Sequence, residues 1–178
     1  MGHPFRGRIQ KVANGSAQVI QLRNITQELG VNWNELIRTE AQSKREPQWL
    51  RAGDVLVVAR GYHNHVVHLD TITEHTLCSP HFYVVHPLPA SGLDSEFLVW
   101  QLNQTTAQNH FKQAAAGSRL PSLTRRLLEQ TPVVVPSLKD QMTVVKLARA
   151  VQREKQTMQA LIHNRERQMM AVARKVLS

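Results

Sequence analysis

The chain has 178 residues, 42% of them apolar, enough to bury one ordinary core plus an appendage and too apolar for a disordered polymer. No window approaches the roughly 18 apolar residues of a membrane span, Met1-Gly2-His3-Pro4-Phe5 lacks the apolar region of a secretion signal, and lone Cys78 cannot close an internal disulfide, so a cytoplasmic setting is expected. A formal charge of +9 favours a polyanionic partner, yet residues 1–136 carry only +3 of it and residues 137–178 carry +6, so charge alone locates no binding surface.

In chain order, a short basic segment leads to the turn Asn14-Gly15-Ser16, and Ala17-Gln18-Val19-Ile20 then predicts a strand. Leu29 to Trp33 breaks the pattern, and residues 34–48 are polar and mixed, with Lys44-Arg45-Glu46-Pro47 as an exposed loop. Gly53-Asp54 predicts a turn, and the apolar run Val55 to Ala59 predicts a strand buried on both faces. Strands over Val66–Leu69 and Phe82–Val85 follow, the second stopped by Pro87 and Pro89. The period then changes: Phe97, Trp100, Leu102, Ala107 and Phe111 predict one helix, opened by Asp94 or Ser95 and closed at Gly117. Ser122-Leu123-Thr124 caps a short helix over Arg125 to Glu129, and Thr131-Pro132-Val133-Val134-Val135-Pro136 reads as a short strand between prolines.

From Asp140 onward there is no Pro or Gly, and Val144, Ala148, Val151, Met158, Ile162, Met169, Val172 and Val176 form an apolar seam at heptad spacing. Lys155 and Arg165 occupy two seam positions where an apolar residue belongs. A continuous helix to Ser178 would extend about 55–60 Å, beyond the diameter of the preceding head, so its far end must meet another chain. The reading is α+β: a β-rich domain with short helices over residues 1–136, and one long C-terminal helix, a coiled-coil spacer, over 137–178.

The order of segments carries a resemblance. "VIQLRNIT" (Val19–Thr26), "LRAGDVLVVARG" (Leu50–Gly61), "AAAGSRLPSLT" (Ala114–Thr124) and "VVVPSLKDQ" (Val133–Gln141), followed by a long helix, resemble one half of the specificity subunit of type I restriction–modification systems. The resemblance implies a target recognition domain with a helical spacer, in a half-size form with one unit where the family usually has two in tandem. It implies double-stranded DNA as a partner, with a methyltransferase subunit and, in complete systems, a restriction subunit. It also implies a homodimer through the C-terminal helix, reading a bipartite palindromic site. No Gly-rich nucleotide fingerprint, Walker loop or methyltransferase motif is present, which fits a non-catalytic chain without a cofactor of its own.

Arg60-Gly61-Tyr62-His63-Asn64-His65 offers side chains that read DNA: Arg pairs with guanine, Asn with adenine, and Tyr or His contacts phosphate or stacks. The plain alternative is a hairpin loop with a Gly turn. Lys44, Arg45 and Arg119 are candidate phosphate contacts, with solvated surface charge as the alternative. The rival signal is histidine: His63, His65, His68, His75, Cys78, His81 and His86 lie close in sequence, yet match no structural-zinc spacing, so no metal site is assigned. Two other functions stay open, a regulatory or anti-restriction decoy that docks on the methyltransferase through the helix, and a metal-dependent enzyme built on the His63–His86 cluster.

Overall fold

The computed structural model describes residues 1–5, 7–26, 30–41, 46–61, 63–72, 74–113 and 122–177. It is α+β as expected. The first predicted strand is β1 (Ala17–Ile20), entered through a turn in which Gly15 N–H donates to the Val12 carbonyl at 3.1 Å. A Cβ on Gly15 would strike the backbone of Thr39, so only glycine lets these segments approach. Short strands that the sequence reading omitted complete this half: β2 (Ile25–Thr26), β3 (Gly30–Val31) and β4 (Ile37–Thr39). The predicted break from Leu29 to Trp33 is thus partly a hairpin, with Ile25 opposite Val31; Leu29 itself lies outside the described residues.

The expected central strand is β5 (Val55–Val58), followed by β6 (Val66–His68), the unforeseen β7 (Thr76–Cys78), and β8 (Phe82–Val85). The order β6-β5-β8 is antiparallel throughout, with Leu56 opposite both Val67 and Val84. In the second three-stranded sheet, β1 lies between β4, antiparallel, and β7, parallel. All of β5 is buried because it serves two cores: Leu56 and Val58 join Ile20, Leu69, Cys78 and Phe82, whereas Val55 and Val57 join Leu98, Leu102, Phe111 and Leu123. Gly53, at φ +88°, makes the turn before β5, where Arg51 N–H donates to the Asp54 carboxylate at 2.8 Å.

The second core is roofed by helices. The single helix expected from Asp94 to Gly117 is two, α1 (Ser95–Leu102) and α2 (Thr105–Gln113); Gly117 lies outside the described residues. Asp94 caps α1, its Oδ1 accepting from Phe97 N–H at 2.9 Å. The break follows from Asn103, whose amide accepts from Val66 N–H at 3.1 Å and donates to Val66 O at 2.7 Å. That side chain completes a sheet edge, and the apolar spacing could not show it. Thr124 caps α3 (Arg125–Glu129) as expected.

The segment between Pro132 and Pro136 forms no strand: it is extended and largely exposed, and Val134 exchanges both backbone bonds with the Gln101 amide, at 2.8 and 3.1 Å. It leads into α4 (Leu138–Leu177), 40 residues, about 60 Å long at 1.5 Å per residue. Gln141 in its first turn is fully buried, accepting from Asp94 N–H and donating to the Gly92 and Pro136 carbonyls, each at 2.8 Å. Two turns on, Arg149 binds both oxygens of Glu96 on α1. These contacts fix the direction in which α4 leaves the head, and beyond Gln156 every described residue of α4 is exposed.

Replacing Gln141 by Leu keeps the volume but removes three hydrogen bonds to part-buried backbone groups, and is expected to lower the unfolding free energy by about 2–3 kcal/mol in urea denaturation. Cys78 is buried among apolar side chains, which pushes its thiol up to about 12. It is therefore expected to resist thiol reagents at pH 8 until the protein is unfolded, as a labelling time course with and without urea would show.

Candidate nucleic-acid interface

The Arg60–His65 loop joins β5 to β6, closed at its base by Val58 N–H donating to the His65 carbonyl at 2.9 Å. Leu123 N–H donates to the Ala59 carbonyl at 2.8 Å, and Arg60 bridges to Ser122, so the chain before α3 buttresses the loop. Gly61, at φ +127°, turns the chain outward. Arg60 and His63 are exposed, and the His63 and His65 rings stack at 5.4 Å, so the period-two pair does share a face.

Asn64 points the other way. It is 7% exposed, its Nδ2 donates to the Val58 carbonyl at 2.8 Å, and its backbone carbonyl accepts from Gln108 Nε2 at 3.1 Å. With its side chain buried and one amide N–H held by the Val58 carbonyl, Asn64 shapes the loop. Of the other candidates, Lys44, Arg45, Tyr62 and Arg119 lie outside the described residues.

Arg60 also lines a cleft the sequence reading did not single out. Its walls include Arg8, from the short basic segment near the N-terminus, and Arg23, which follows β1. An adjoining hollow adds Lys11. The described ion pairs of arginine lie elsewhere, at Arg38–Glu74, Arg125–Glu129 and Arg149–Glu96. The available signal was Arg8 beside Gly7 and Arg23 beside Asn24, but only folding brings these two to one cleft with Arg60.

The histidines disperse into separate tasks. His75 stacks on Trp49 at 4.6 Å, and His86 lies 2.6 Å from the buried Asp54 carboxylate. His68 is held between Asp70 and the Ser95 hydroxyl, the latter 2.7 Å from Nε2. Among the described residues, His68, Asp70 and Glu96 bring ligand-type atoms within 4.8 Å of one another. Arg149 already supplies the cation there, through its paired bonds to Glu96, so the trio is a structural network joining β6, α1 and α4.

On α4 the seam is graded. Val144 and Ala148 are half-buried beside α1, whereas Val151, Met158, Ile162, Met169, Val172 and Val176 are exposed. Trp100 and Val99 on α1 form with Leu147, Ala148 and Val151 the apolar part of a groove along the start of α4, which Glu96, Gln104, Arg149 and Lys155 also line.

No family model and no curated protein matches the sequence. Solved structures do match. A chain from a structural study of the assembly and conformational transition of the type I restriction–modification system superposes with a TM-score of 0.64 at 18% identity, over 80% of this chain. The HsdS subunit from Thermoanaerobacter tengcongensis gives 0.64 and 18% over 81%. The fold is thus of the class found in type I restriction–modification systems, a mixed α/β head carrying a long helix. Within that class it is the fold of the HsdS specificity subunit, in agreement with the resemblance in the sequence. The chain spans 37% of the length of those two chains.

Asn64→Ala is expected to cost about 1–3 kcal/mol of stability, because the Val58 carbonyl loses its donor. In binding assays it should weaken all DNA sequences alike. An unchanged unfolding curve combined with a changed sequence preference would place Asn64 in the base-reading set.

Proposed function

We propose that the chain is the non-catalytic DNA-recognition component of a type I restriction–modification system, and that it acts as a homodimer on a bipartite, palindromic duplex site. In this reading methylation and cleavage belong to partner subunits that dock on the assembled pair.

One observation carries the proposal: the exposed helix is a mirror of itself in chemical type. Val144 and Val176, Ala148 and Val172, Val151 and Met169, and Met158 and Ile162 are pairs equidistant from Ala160. So are Gln152 and Gln168, Arg153 and Arg167, Glu154 and Glu166, and Lys155 and Arg165. An antiparallel second copy crossing at Ala160 would meet each of these eight seam residues with an apolar residue, as two-fold symmetry requires of a self-complementary surface. Lys155 then comes level with Arg165 of the second copy, and Glu166, the next residue on that helix, lies within reach to answer the charge. The groove at Trp100 and Leu147 would receive the far end of the second helix, covering what one copy leaves open. Such a pairing restores two heads, where the solved relatives are more than twice as long as this chain.

The heads pack on α4 near Ala148, whose mirror position is Val172. That interval corresponds to about 36 Å of helix, so half-site centres on the order of 10–15 base pairs apart are expected.

Sedimentation at several concentrations should give twice the 20.2 kDa of one chain, and Ile162→Asp should give the monomer with its melting temperature nearly unchanged. Selection from a random duplex pool should enrich a two-fold-symmetric, bipartite sequence. A wild-type monomer at high concentration overturns the pairing, and a pool with no enriched sequence overturns the recognition role.

A further inference from the structure

The cleft that holds Arg8, Arg23 and Arg60 has a volume of about 520 Å³ and lies past the C-terminal ends of β1 and β7, where residues 21–23 and 79–81 leave the sheet side by side. The N-terminal segment closes it: Gly2 N–H donates to the Phe82 carbonyl at 2.9 Å and His3 N–H to the Cys78 carbonyl at 2.8 Å. Three arginines therefore line one concavity, and among the described residues no carboxylate pairs with any of them. Like charges gathered this way repel one another unless an anion lies between them.

A second observation is independent of charge. Three side chains that line the cleft keep a buried polar atom without a hydrogen-bond partner: Gln21 Nε2, Ser79 Oγ and His81 Nδ1. Ser79 is 3% exposed. Buried polar atoms are rarely left unpaired, because each forfeits the hydrogen bond it would make in water. Gln21 Nε2 is a donor and the Ser79 hydroxyl can donate, so one acceptor group would answer both. Arginines and neutral donors in the lining of one cleft match the oxygens of a phosphate.

We propose that this cleft is a phosphate site, and that in the working protein it seats a backbone phosphodiester of the duplex whose bases face the Arg60–His65 loop. The assignment rests on the DNA-recognition reading for the source of the phosphate, whereas the chemistry of the cleft stands apart from it. Arg60 belongs to both the cleft and the loop, so a phosphate held here fixes the register in which the loop meets base edges. Arg8 and Arg23 then position the duplex without reading it.

The test uses the full-length chain and a mixed-sequence duplex in a salt titration followed by fluorescence anisotropy. Arg8→Ala and Arg23→Ala should each weaken binding about 3- to 10-fold on every sequence and lower the slope of log K against log salt by about 0.9, one phosphate contact apiece. Arg51→Ala, an exposed arginine outside the cleft, should leave both quantities near wild type. Wild-type binding with unchanged affinity and slope in both cleft variants overturns the phosphate site and leaves the recognition role standing. If wild type binds no duplex, the recognition role fails, and inorganic phosphate is titrated instead while the Gln21 side-chain amide is followed by NMR. A saturable shift abolished by Arg23→Ala supports the phosphate site, and no shift overturns it.

Discussion

The geometry of this molecule depends on one neutral side chain. Gln141 is buried where the long helix meets the head, and its amide joins the turn at Gly92, the first residue of the α1 cap at Asp94, and the helix's own entry at Pro136. An amide suits this position because it supplies donors and an acceptor together and needs no counter-ion when taken out of water. The outer contact from Arg149 to Glu96 is solvated and contributes less. If the far end of the rod is to present a partner with a defined angle, that angle is set within the first turn of α4.

Elements with strong periods were legible from the residues. β5 was readable as a strand buried on both faces because all its side chains are apolar, and α4 because a 40-residue run without Pro or Gly has few alternatives. The strands β2, β3, β4 and β7 span two or three residues, too few to show an alternation, and β7 is paired by a distant partner, Gln18 with Thr76. The Pro132–Pro136 segment failed for the opposite reason. Its valines have the composition of a strand, but the edge it meets is a single glutamine, Gln101, and one amide makes no ladder.

The interface was partly legible in the same sense. The loop after β5 could be located, since Gly61 marks the turn and Arg60 and His63 are exposed polar residues beside it. Which of its side chains face outward could not: Asn64 turns inward to the Val58 carbonyl, and its backbone is held by Gln108 on α2, far along the chain. The cleft was invisible because Arg8, Arg23 and Arg60 are ordinary residues in three unrelated segments. Their shared cleft exists only in three dimensions.

The parallel pairing of β1 with β7 also bears on how the chain reaches this state. β1 lies in the middle of its sheet, yet Gln18 must wait for Thr76 before its second edge is closed. Closing so long a loop is entropically unfavourable and slow, whereas the hairpin contacts of β5 with β6 are local and fast. These separations favour an order in which β5 pairs with β6 before β1 gains its second edge, and the rod docks on a turn at Gly92 and Asp94 already formed. A nascent chain therefore holds the valine and isoleucine of β1 uncovered while most of the head is still being synthesised, and the polar residues Gln18 and Gln21 around them limit the association that such an open edge invites.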